Sequence, residues 1–259
     1  MKLSIIIPAY NEEKRIAKTL ENYLSYFTKR YKKNYELIVV MNGCKDNTLG
    51  IVKSFKKHNQ LTYLDIKQGI GKGGAIIEGF KKAQGDHIGF VDADMSTDAE
   101  EYDRLYRIIG DADCIIASRY IEGAHVEPKQ PLTRIIASRG FNALIKILFN
   151  LNYRDSQCGA KILGKNAANY IIPKLGITRW AFDVDLLYQL KRAGYTTKET
   201  PTTWKDEEGS TLNIRKQTVE MFLAVSRLRL IYSPFKFIVT IYDRTIGRRK
   251  WGILPYNPK

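Results

Sequence analysis

The sequence predicts an α/β protein with a mainly parallel central sheet flanked by helices. Short apolar runs rich in β-branched residues alternate with segments of helical period. Strands that alternate with helices form βαβ units, whose successive strands are parallel. The chain has 259 residues, of which 44% are hydrophobic, so it can bury a sizeable core and is not a candidate for disorder. The first five predicted strands are 3–7, 35–41, 61–66, 87–91 and 114–118.

Helices are predicted between these strands, where the apolar residues recur at helical spacing. Pro8 ends the first strand, and Asn11 with Glu12 can begin the first helix. The four helices are expected at about 12–27, 47–57, 74–84 and 98–109.

The regular alternation of strands and helices ends after the fifth strand, where a connection over 121–131 contains Gly123, Pro128 and Pro131. The remaining globular part is predicted as helix 132–150, strand 160–163, helix 182–192 and strand 195–203. Two apolar-faced helices, broken at Ser233-Pro234, are expected to follow. We therefore expect one domain over 1–212 and a basic amphipathic segment over 213–259.

The charge of the chain favours anionic partners. It has 42 basic and 27 acidic residues, a formal charge of +15. Nucleic acid, polyphosphates and an acidic membrane surface all suit such a balance. A nucleic-acid-binding module is thus one alternative function. No recognised nucleic-acid motif is present, however, and the aromatic residues do not alternate with a basic strand face, so no nucleic-acid partner is expected.

The cysteines and the N-terminal residues indicate where in the cell the protein is expected. Cys44, Cys114 and Cys158 are scattered without metal-ligand spacing, and their odd number predicts free thiols in a reducing compartment. The chain opens directly into a strand pattern, and no run of 18 apolar residues occurs. We expect a cytoplasmic protein, peripheral at the cytoplasmic face of a membrane.

The segment HIGFVDAD (87–94) ends an apolar run in two carboxylates, Asp92 and Asp94. Residues two apart on a strand share a face, and like charges so close repel unless a cation lies between them. Ligands of open α/β sheets lie beyond the carboxyl ends of strands. The simplest interpretation is a divalent metal that holds a polyphosphate. The alternative is a pair of solvated acids before a helix, with Asp94 or Ser96 as its cap.

Three further strand-end loops are candidates for ligand binding. The first, PAYNE (8–12), suits a nucleotide base and ribose, or is a strand–turn–helix cap. The second, MNGCKDNT (41–48), alone favours helix capping. The third, GIGKGG (69–74), matches a dinucleotide fingerprint in spelling, but that fingerprint belongs to the first βα turn and this loop follows the third strand. Its glycines and lysine could still pack against a phosphate, or serve as a flexible helix entry.

Together these motifs resemble the family-2 nucleotide-diphospho-sugar glycosyltransferases, which have the GT-A fold. PAYNEE, MNGCKDNT, GKGGA and DADMS fall in that family's order and spacing. One departure is Met41-Asn42-Gly43, where the family usually has Asp-Asp-Gly or Asn-Asp-Gly. A second set resembles the polyprenyl-phosphate branch, most of all its dolichyl-phosphate β-glucosyltransferases. This set is ASRY (117–120), RIIASRGFN (134–142), DSQCGAKI (155–162), RWAFDVDLL (179–187) and WKDEEGSTL (204–212).

The resemblance implies a role for each donor-side residue. The nucleotide would be bound by Pro8, Ala9, Tyr10, Asn11, Glu12, Asn42, Lys72, Asp92 and Ala93. Asp94 with Asp92 would hold Mg²⁺ or Mn²⁺ on the pyrophosphate, because hard cations prefer carboxylate and phosphate oxygens. The donor sugar would meet Gln157, Gly159 and Trp180, with Trp204 a further stacking candidate; ordinary packing is the alternative for each tryptophan. Asp183 would contact a sugar hydroxyl or act as a weak base, and Asp185 would be structural.

The resemblance also implies an acceptor site for a lipid monophosphate. Arg134, Ser138 and Asn142 would share one helix face. Arg119, Arg134 and Arg139 are expected to contact the phosphate, with Ser138 as a supporting donor, because arginine forks suit phosphate oxygens. Solvated arginines on an amphipathic helix are the alternative. A phosphate monoester has its second pKa at about 6, so the acceptor is already an anionic nucleophile near neutral pH.

The C-terminal segment suits a membrane surface. Residues 227–259 hold eight Lys/Arg against one acid, Asp243, and the basic residues interleave with apolar ones. A helix pair in the interface over anionic lipid fits this composition; two helices docked on the core are the alternative.

The expected activity is therefore an inverting, metal-dependent transfer of a hexose from a nucleotide-diphospho-sugar to dolichyl or polyprenyl phosphate. UDP-glucose is the favoured donor and GDP-mannose the next. A family-2 enzyme with a saccharide acceptor is the alternative within the class, and a dinucleotide-dependent oxidoreductase a weaker one outside it.

Overall fold

The structure, a computed structural model, describes residues 2–128, 132–176, 181–205 and 214–242. The strands are β1 (Leu3–Ala9), β2 (Tyr35–Asn42), β3 (Leu61–Ile66), β4 (His87–Phe90), β5 (Cys114–Ser118), β6 (His125–Glu127), β7 (Lys161–Gly164), β8 (Thr197–Pro201) and β9 (Thr203–Lys205). In the described ranges seven of them form one sheet of order β3-β2-β1-β4-β7-β5-β8, and β6 pairs with β9 separately. The predicted α/β class with a mainly parallel sheet is confirmed.

Helices cover both faces of this sheet. They are α1 (Ile16–Tyr31), α2 (Thr48–Ser54), α3 (Gly71–Lys82), α4 (Ala99–Ile108), α5 (Leu132–Phe149), α6 (Lys165–Ile171), α7 (Phe182–Arg192), α8 (Ile214–Ile231) and α9 (Lys236–Tyr242), with a 3-10 turn at Ile172–Lys174.

The core forms two apolar layers, one on each side of the sheet. Ile5 and Ile7 of β1 belong to the layer under α1 and α4, whereas Ile6 between them belongs to the layer under α3 and α7. Successive strand residues point to opposite faces, and a strand covered on both faces reads as a continuous apolar run. This explains why LSIIIPA is buried throughout.

Two of the predicted elements differ from the structure for tertiary reasons. The first helix begins at Ile16 and not at Glu12; the residues before it are held by the neighbouring loop, where the Thr48 hydroxyl and the Asp46 carboxylate accept from the backbone N–H groups of Glu12 and Glu13 at 2.8 and 3.0 Å. The predicted strand 195–203 is divided at Thr202, whose N–H donates to the Ser118 carbonyl at 3.1 Å and whose hydroxyl donates to Glu101 at 2.8 Å. Three short elements, β6, α6 and β9, were not predicted.

The predicted helix break near Ser233-Pro234 is confirmed, since α8 ends at Ile231 and α9 begins at Lys236. Val225 and Leu228 of α8 are fully buried in the core layer that α5 and α7 share, as the docked alternative required. The opposite side of the pair carries apolar side chains that are 36–58% exposed: Val219, Phe222, Leu223, Leu230, Phe235, Phe237, Ile238 and Ile241.

No helix in the described part of the chain has the length and apolarity needed to cross a membrane.

Candidate active site

The carboxyl ends of three neighbouring parallel strands bring the predicted loops together. β1 lies between β2 and β4, with Ala9 opposite Met41 and Ile6 opposite Phe90. Pro8 and Ala9 are the buried last residues of β1, so the residues that follow them begin at the same edge as those that follow β2 and β4. This edge is where open α/β sheets bind ligands.

The loop after β1 is held by the loop after β2. The Asn11 side-chain oxygen accepts from the Lys45 backbone N–H at 2.8 Å, and the Glu12 backbone N–H donates to the Thr48 hydroxyl at 2.8 Å. Asn11 adopts a positive φ of 54°, which asparagine tolerates better than most residues. Tyr10 stays 56% exposed, so its ring is accessible for stacking. The segment 41–48 therefore does more than cap a helix: it shapes the first loop.

Asn42 has an internal partner. Its amide oxygen accepts from the Ile70 backbone N–H at 2.6 Å, and the residue is only 6% exposed. Gly43 follows at a φ of 68°, and a Cβ there would lie 3.0 Å from the Gly69 nitrogen. Asn42 thus fastens the glycine loop to β2 through its side-chain oxygen, and its predicted contact with the nucleotide stays a prediction.

Asp92 and Asp94 lie on one turn directly after β4. Asp92 forms an ion pair with Lys72 at the start of α3, and Asp94 accepts from the Ser96 backbone N–H at 3.0 Å. Neither Asp94 nor Ser96 caps the next helix, because Asp98 accepts from the Glu101 N–H at 2.9 Å. The capping alternative is therefore wrong for Asp94.

Lys72 lies among several carboxylates. Burial alone would lower the pKa of its ammonium group, but the charges of Asp92 and Asp183 outweigh this effect and raise the pKa above its ordinary value. Lys72 is consequently cationic at any physiological pH. It pairs directly with Asp92 and lies within the electrostatic influence of Asp183 at the start of α7.

Glu12 and Arg15 add a second ion pair to the same edge. Arg15 binds both Glu12 oxygens, through Nε at 2.7 Å and a terminal nitrogen at 2.8 Å. Burial raises the pKa of Glu12; Arg15 opposes this shift, and the charges of Asp94 and Asp92 add to it. Arg15 was not predicted as a site residue, although its spacing from Glu12 is the signal that could have found it.

The loop after α5 lies against Asp92. A Cβ on Gly159 would lie 2.0 Å from Asp92 Oδ2, so only glycine fits beneath that carboxylate. The Nε2 of Gln157 is buried and has no hydrogen-bond partner among the described residues, which leaves a donor available for a ligand. Trp180 lies outside the described residues. Trp204 is 5% exposed, and its ring centroid lies 4.9 Å from the Arg119 Cζ, an environment that suits the packing alternative.

Asp183 adds a further carboxylate from the first turn of α7. It accepts from Lys161 Nζ at 2.5 Å. Lys161 is fully buried in β7, donates also to the Cys158 carbonyl at 2.7 Å, and lies 5.4 Å from the centroid of the Phe90 ring. Four side chains of alternating charge thus line the site, in the order Asp92, Lys72, Asp183 and Lys161. Lys161 was not predicted; a lone lysine within the apolar run AKIL was the available signal.

The predicted acceptor residues divide into two groups. Arg119 is paired with buried Asp155, through Nε at 2.8 Å and a terminal nitrogen at 3.0 Å, and its side chain is 10% exposed. Burial would lower the Arg119 pKa, but Asp155 raises it well above its ordinary value. The Arg119 guanidinium therefore holds the loop after α5 through Asp155, and its predicted contact with the acceptor phosphate stays a prediction.

Arg134, Ser138 and Arg139 lie on α5, with Arg139 exposed and the other two half-buried. The Asn142 side chain, four residues after Ser138, accepts from the Ser156 hydroxyl at 2.8 Å. Because residues four apart share a helix face, Arg134 and Ser138 lie on the face of α5 that meets the loop containing Gln157.

Asp92 and Asp94 could contribute to a metal site. Within the described ranges, no group of three or more His, Cys, Asp or Glu side chains could hold a metal ion. Asp92 and Asp94 supply carboxylate oxygens on one turn, and Mg²⁺ is typically bound through one or two carboxylates plus substrate phosphates. The residues present fit an ion of that kind.

Comparison with known proteins identifies the family. The sequence profile described as "Glycosyl transferase family 2" matches residues 4–171. A dolichyl-phosphate beta-glucosyltransferase of Dictyostelium discoideum is 30% identical over 243 residues, which are 89% of this chain and 74% of that protein. The enzyme of the same name from Homo sapiens is 33% identical over 225 residues, 82% of this chain and 69% of that protein.

Solved structures share the architecture. Glucosyl-3-phosphoglycerate synthase from Mycobacterium tuberculosis, in complex with Mn²⁺ and UDP-glucose, has a TM-score of 0.63 at 14% identity and covers 88% of this chain and 78% of its own. Mannosyl-3-phosphoglycerate synthase from Rubrobacter xylanophilus has a TM-score of 0.63 at 17% identity. The match covers 100% of this chain and 79% of that protein. These likenesses confirm the GT-A fold. The chain belongs to glycosyl transferase family 2 and is a glycosyltransferase.

Proposed function

We propose that this enzyme transfers glucose from UDP-glucose to dolichyl phosphate or a related polyprenyl phosphate, with inversion at the anomeric carbon. The observation that carries the proposal is the meeting of Asp92, Asp94 and Lys72 with Asp183 at one sheet edge, beside the face of α5 that bears Arg134 and Ser138. The relatives named dolichyl-phosphate beta-glucosyltransferase support the choice of sugar and acceptor.

The nucleotide would lie across the loops after β1 and β2. Tyr10 offers an exposed ring to the base, and the residues from Asn11 to Glu12 form a rigid floor bonded to Lys45 and Thr48. Lys72 is a permanent cation that can turn from Asp92 to a phosphate oxygen. The site thus combines a stacking surface with a charge suited to a nucleoside diphosphate.

A divalent ion, Mg²⁺ or Mn²⁺, would be held by Asp92 and Asp94 together with the pyrophosphate. When bound, it supplies positive charge that stabilises the departing nucleoside diphosphate. Solved structures of the same fold that contain Mn²⁺ with UDP support the assignment. Gly159 allows the Asp92 carboxylate to take its position above the loop.

The acceptor phosphate would be met by Arg134, Arg139 and Ser138 on α5. It needs little help from a base, because a phosphate monoester is largely ionised near neutral pH. Asp183 would instead accept a hydrogen bond from a hydroxyl of the donor sugar, since Lys161 keeps one of its oxygens engaged. Gln157 would donate to the sugar through its otherwise unpartnered Nε2.

The lipid acceptor implies work at a membrane surface. The outer side of α8 and α9 carries aromatic and aliphatic side chains that are about half exposed, and the chain bears a charge of +15. Both features suit an anionic lipid surface, which we place on the cytoplasmic side.

The test is a product assay with matched donors and acceptors. The purified enzyme receives UDP-glucose, UDP-GlcNAc or GDP-mannose, each with a polyprenyl phosphate or a free sugar, with Mg²⁺, with Mn²⁺, or with a chelator. We expect a β-linked glucosyl phosphate lipid from UDP-glucose only when metal is present. Transfer to the free sugar alone would favour the saccharide-acceptor alternative, and an α-linked product would rule out a single displacement.

A further inference from the structure

The connection between α8 and α9 is tied to the active-site helix by one hydroxyl group. Tyr232, directly after α8, donates a hydrogen bond to the Asp185 carboxylate and accepts one from the Gln189 amide. Its ring lies 5.0 Å from that of Tyr188, centroid to centroid, and 5.4 Å from the Arg192 guanidinium. These four partners all belong to α7, so Tyr232 joins this connection to that helix.

Asp185 lies in the first turn of α7, two residues after Asp183. It is 1% exposed, and a buried carboxylate requires hydrogen-bond donors to remain in place. The start of α7 is also packed tightly against α3, since a Cβ on Gly73 would lie 2.6 Å from the Phe182 Cβ. A small displacement of Asp185 would therefore move the turn that carries Asp183 relative to Lys72 and Lys161.

The same connection is continuous with the exposed apolar side of the helix pair. Val225 and Leu228 fasten α8 to the core, while Phe222 and Leu223 on its other side are 50% and 44% exposed. Phe235, three residues after Tyr232, is 56% exposed. Tyr232 thus lies between the surface proposed to meet lipid and the helix that carries Asp183.

We propose that Tyr232 is a positioning residue that transmits the seating of α8 and α9 on lipid to the first turn of α7, and so to Asp183. The inference rests on the proposed function. Its consequence is that an anionic lipid surface raises turnover even for an acceptor that needs no membrane. The hydroxyl makes the link, since it both donates a hydrogen bond to α7 and accepts one from it.

The test compares Tyr232→Phe with Tyr188→Phe. The two rings are neighbours, and each substitution removes the hydroxyl of one of them. Tyr188 is the control because, in the described part of the chain, its hydroxyl makes no hydrogen bond, whereas the Tyr232 hydroxyl binds Asp185. Turnover of UDP-glucose is measured with a water-soluble short-chain prenyl phosphate, with and without vesicles of phosphatidylcholine and phosphatidylglycerol. Amide hydrogen exchange over residues 182–187 is followed in the same samples.

We expect vesicles to stimulate the wild type and Tyr188→Phe, and to slow exchange over 182–187 in both. Tyr232→Phe should bind vesicles equally well but lose the stimulation. Its kcat with vesicles should fall about tenfold, the size expected for one hydrogen bond to a charged group, with the KM for UDP-glucose unchanged.

Equal stimulation and equal exchange in the two variants would overturn the proposal, as would a loss of vesicle binding that accounts for the lower turnover. The exchange measurement needs no acceptor, so it separates this inference from the proposed function. If the wild type fails to glucosylate any prenyl phosphate, the proposed function fails; vesicle-dependent exchange that requires the Tyr232 hydroxyl would still establish the coupling.

Discussion

Asp94 and Asp98 are carboxylates of the same segment with different contacts. Asp94 lies on the turn with Asp92, whereas Asp98 caps α4. Asp94→Asn removes a charge from the proposed metal and pyrophosphate site, so kcat/KM with UDP-glucose should fall about hundredfold, as for loss of one preorganised electrostatic group.

Asp98→Asn is the matched control, because asparagine caps a helix as well as aspartate does. It should keep wild-type kcat/KM. Mn²⁺ titration of both variants in the presence of UDP should show weaker binding for Asp94→Asn only. Equal Mn²⁺ affinity in the two variants would remove Asp94 from the metal site.

Gly159 offers a test that alters no charge. A Cβ there would lie 2.0 Å from Asp92 Oδ2, so Gly159→Ala must displace the carboxylate or the loop. We expect UDP-glucose affinity to fall by about tenfold or more, since overpacking typically costs 1–3 kcal/mol. Gly164→Ala is the control, because its nearest neighbour would be 3.8 Å away. Calorimetric titration with UDP-glucose and Mn²⁺ measures both, and equal affinities would contradict the geometry at Asp92.

At the scale of elements, the Lys161–Asp183 pair joins β7 to α7. Lys161 is fully buried, so Lys161→Met would remove the buried hydrogen-bond donor of Asp183, a residue that is itself only 8% exposed. Breaking a buried pair by removing one member costs about 3–5 kcal/mol. We expect Lys161→Met to lower the free energy of unfolding by that amount in urea denaturation.

The double variant, Lys161→Met with Asp183→Asn, should be less destabilised than the sum of the two single changes, because no unpaired charge remains. Strict additivity would mean that the pair contributes nothing to stability. Replacement of Lys161 by arginine is not an equivalent test, since the planar guanidinium does not fit where a compact ammonium group lies.

The orientation of β7 could not have been read from its residues. KILG is a short apolar run, and its pairing is antiparallel to both β4 and β5. This inserted strand separates β4 from β5; it carries Lys161, which binds Asp183, and begins two residues after Gly159, which lies against Asp92. The pairing of a short strand is decided by which neighbours offer a free edge, and a local pattern does not report this.

At the scale of the whole molecule, the exposed side of α8 and α9 predicts binding to anionic vesicles. Phe237→Asp adds a charge to a side chain that is 55% exposed on α9, whereas Tyr170→Asp makes a similar change at 47% exposure on α6. Burying an aromatic side chain is worth about 1.5–3 kcal/mol, so Phe237→Asp should weaken sedimentation with phosphatidylglycerol vesicles at least about tenfold.

Tyr170→Asp should sediment with vesicles as the wild type does. Added salt should weaken vesicle binding of the wild type and of Tyr170→Asp, because the net charge of the chain is +15. Equal sedimentation of the two variants would mean that this side of the helix pair does not meet lipid. Truncation at Leu228 is a poorer test, since that side chain is fully buried in the core.

The sequence by itself determined the α/β class, the first five strands and the loops that follow them. Apolar periodicity and turn residues are local signals, and motifs such as PAYNEE and DADMS carry their chemistry in a few adjacent residues. Only the tertiary structure decided the partners of Arg119, Asn42, Lys161 and Tyr232. Their roles depend on contacts with residues 22 to 47 positions away. For Arg119 the tertiary structure, and not the sequence, shows the partner: it pairs with Asp155, a buried carboxylate 36 positions away.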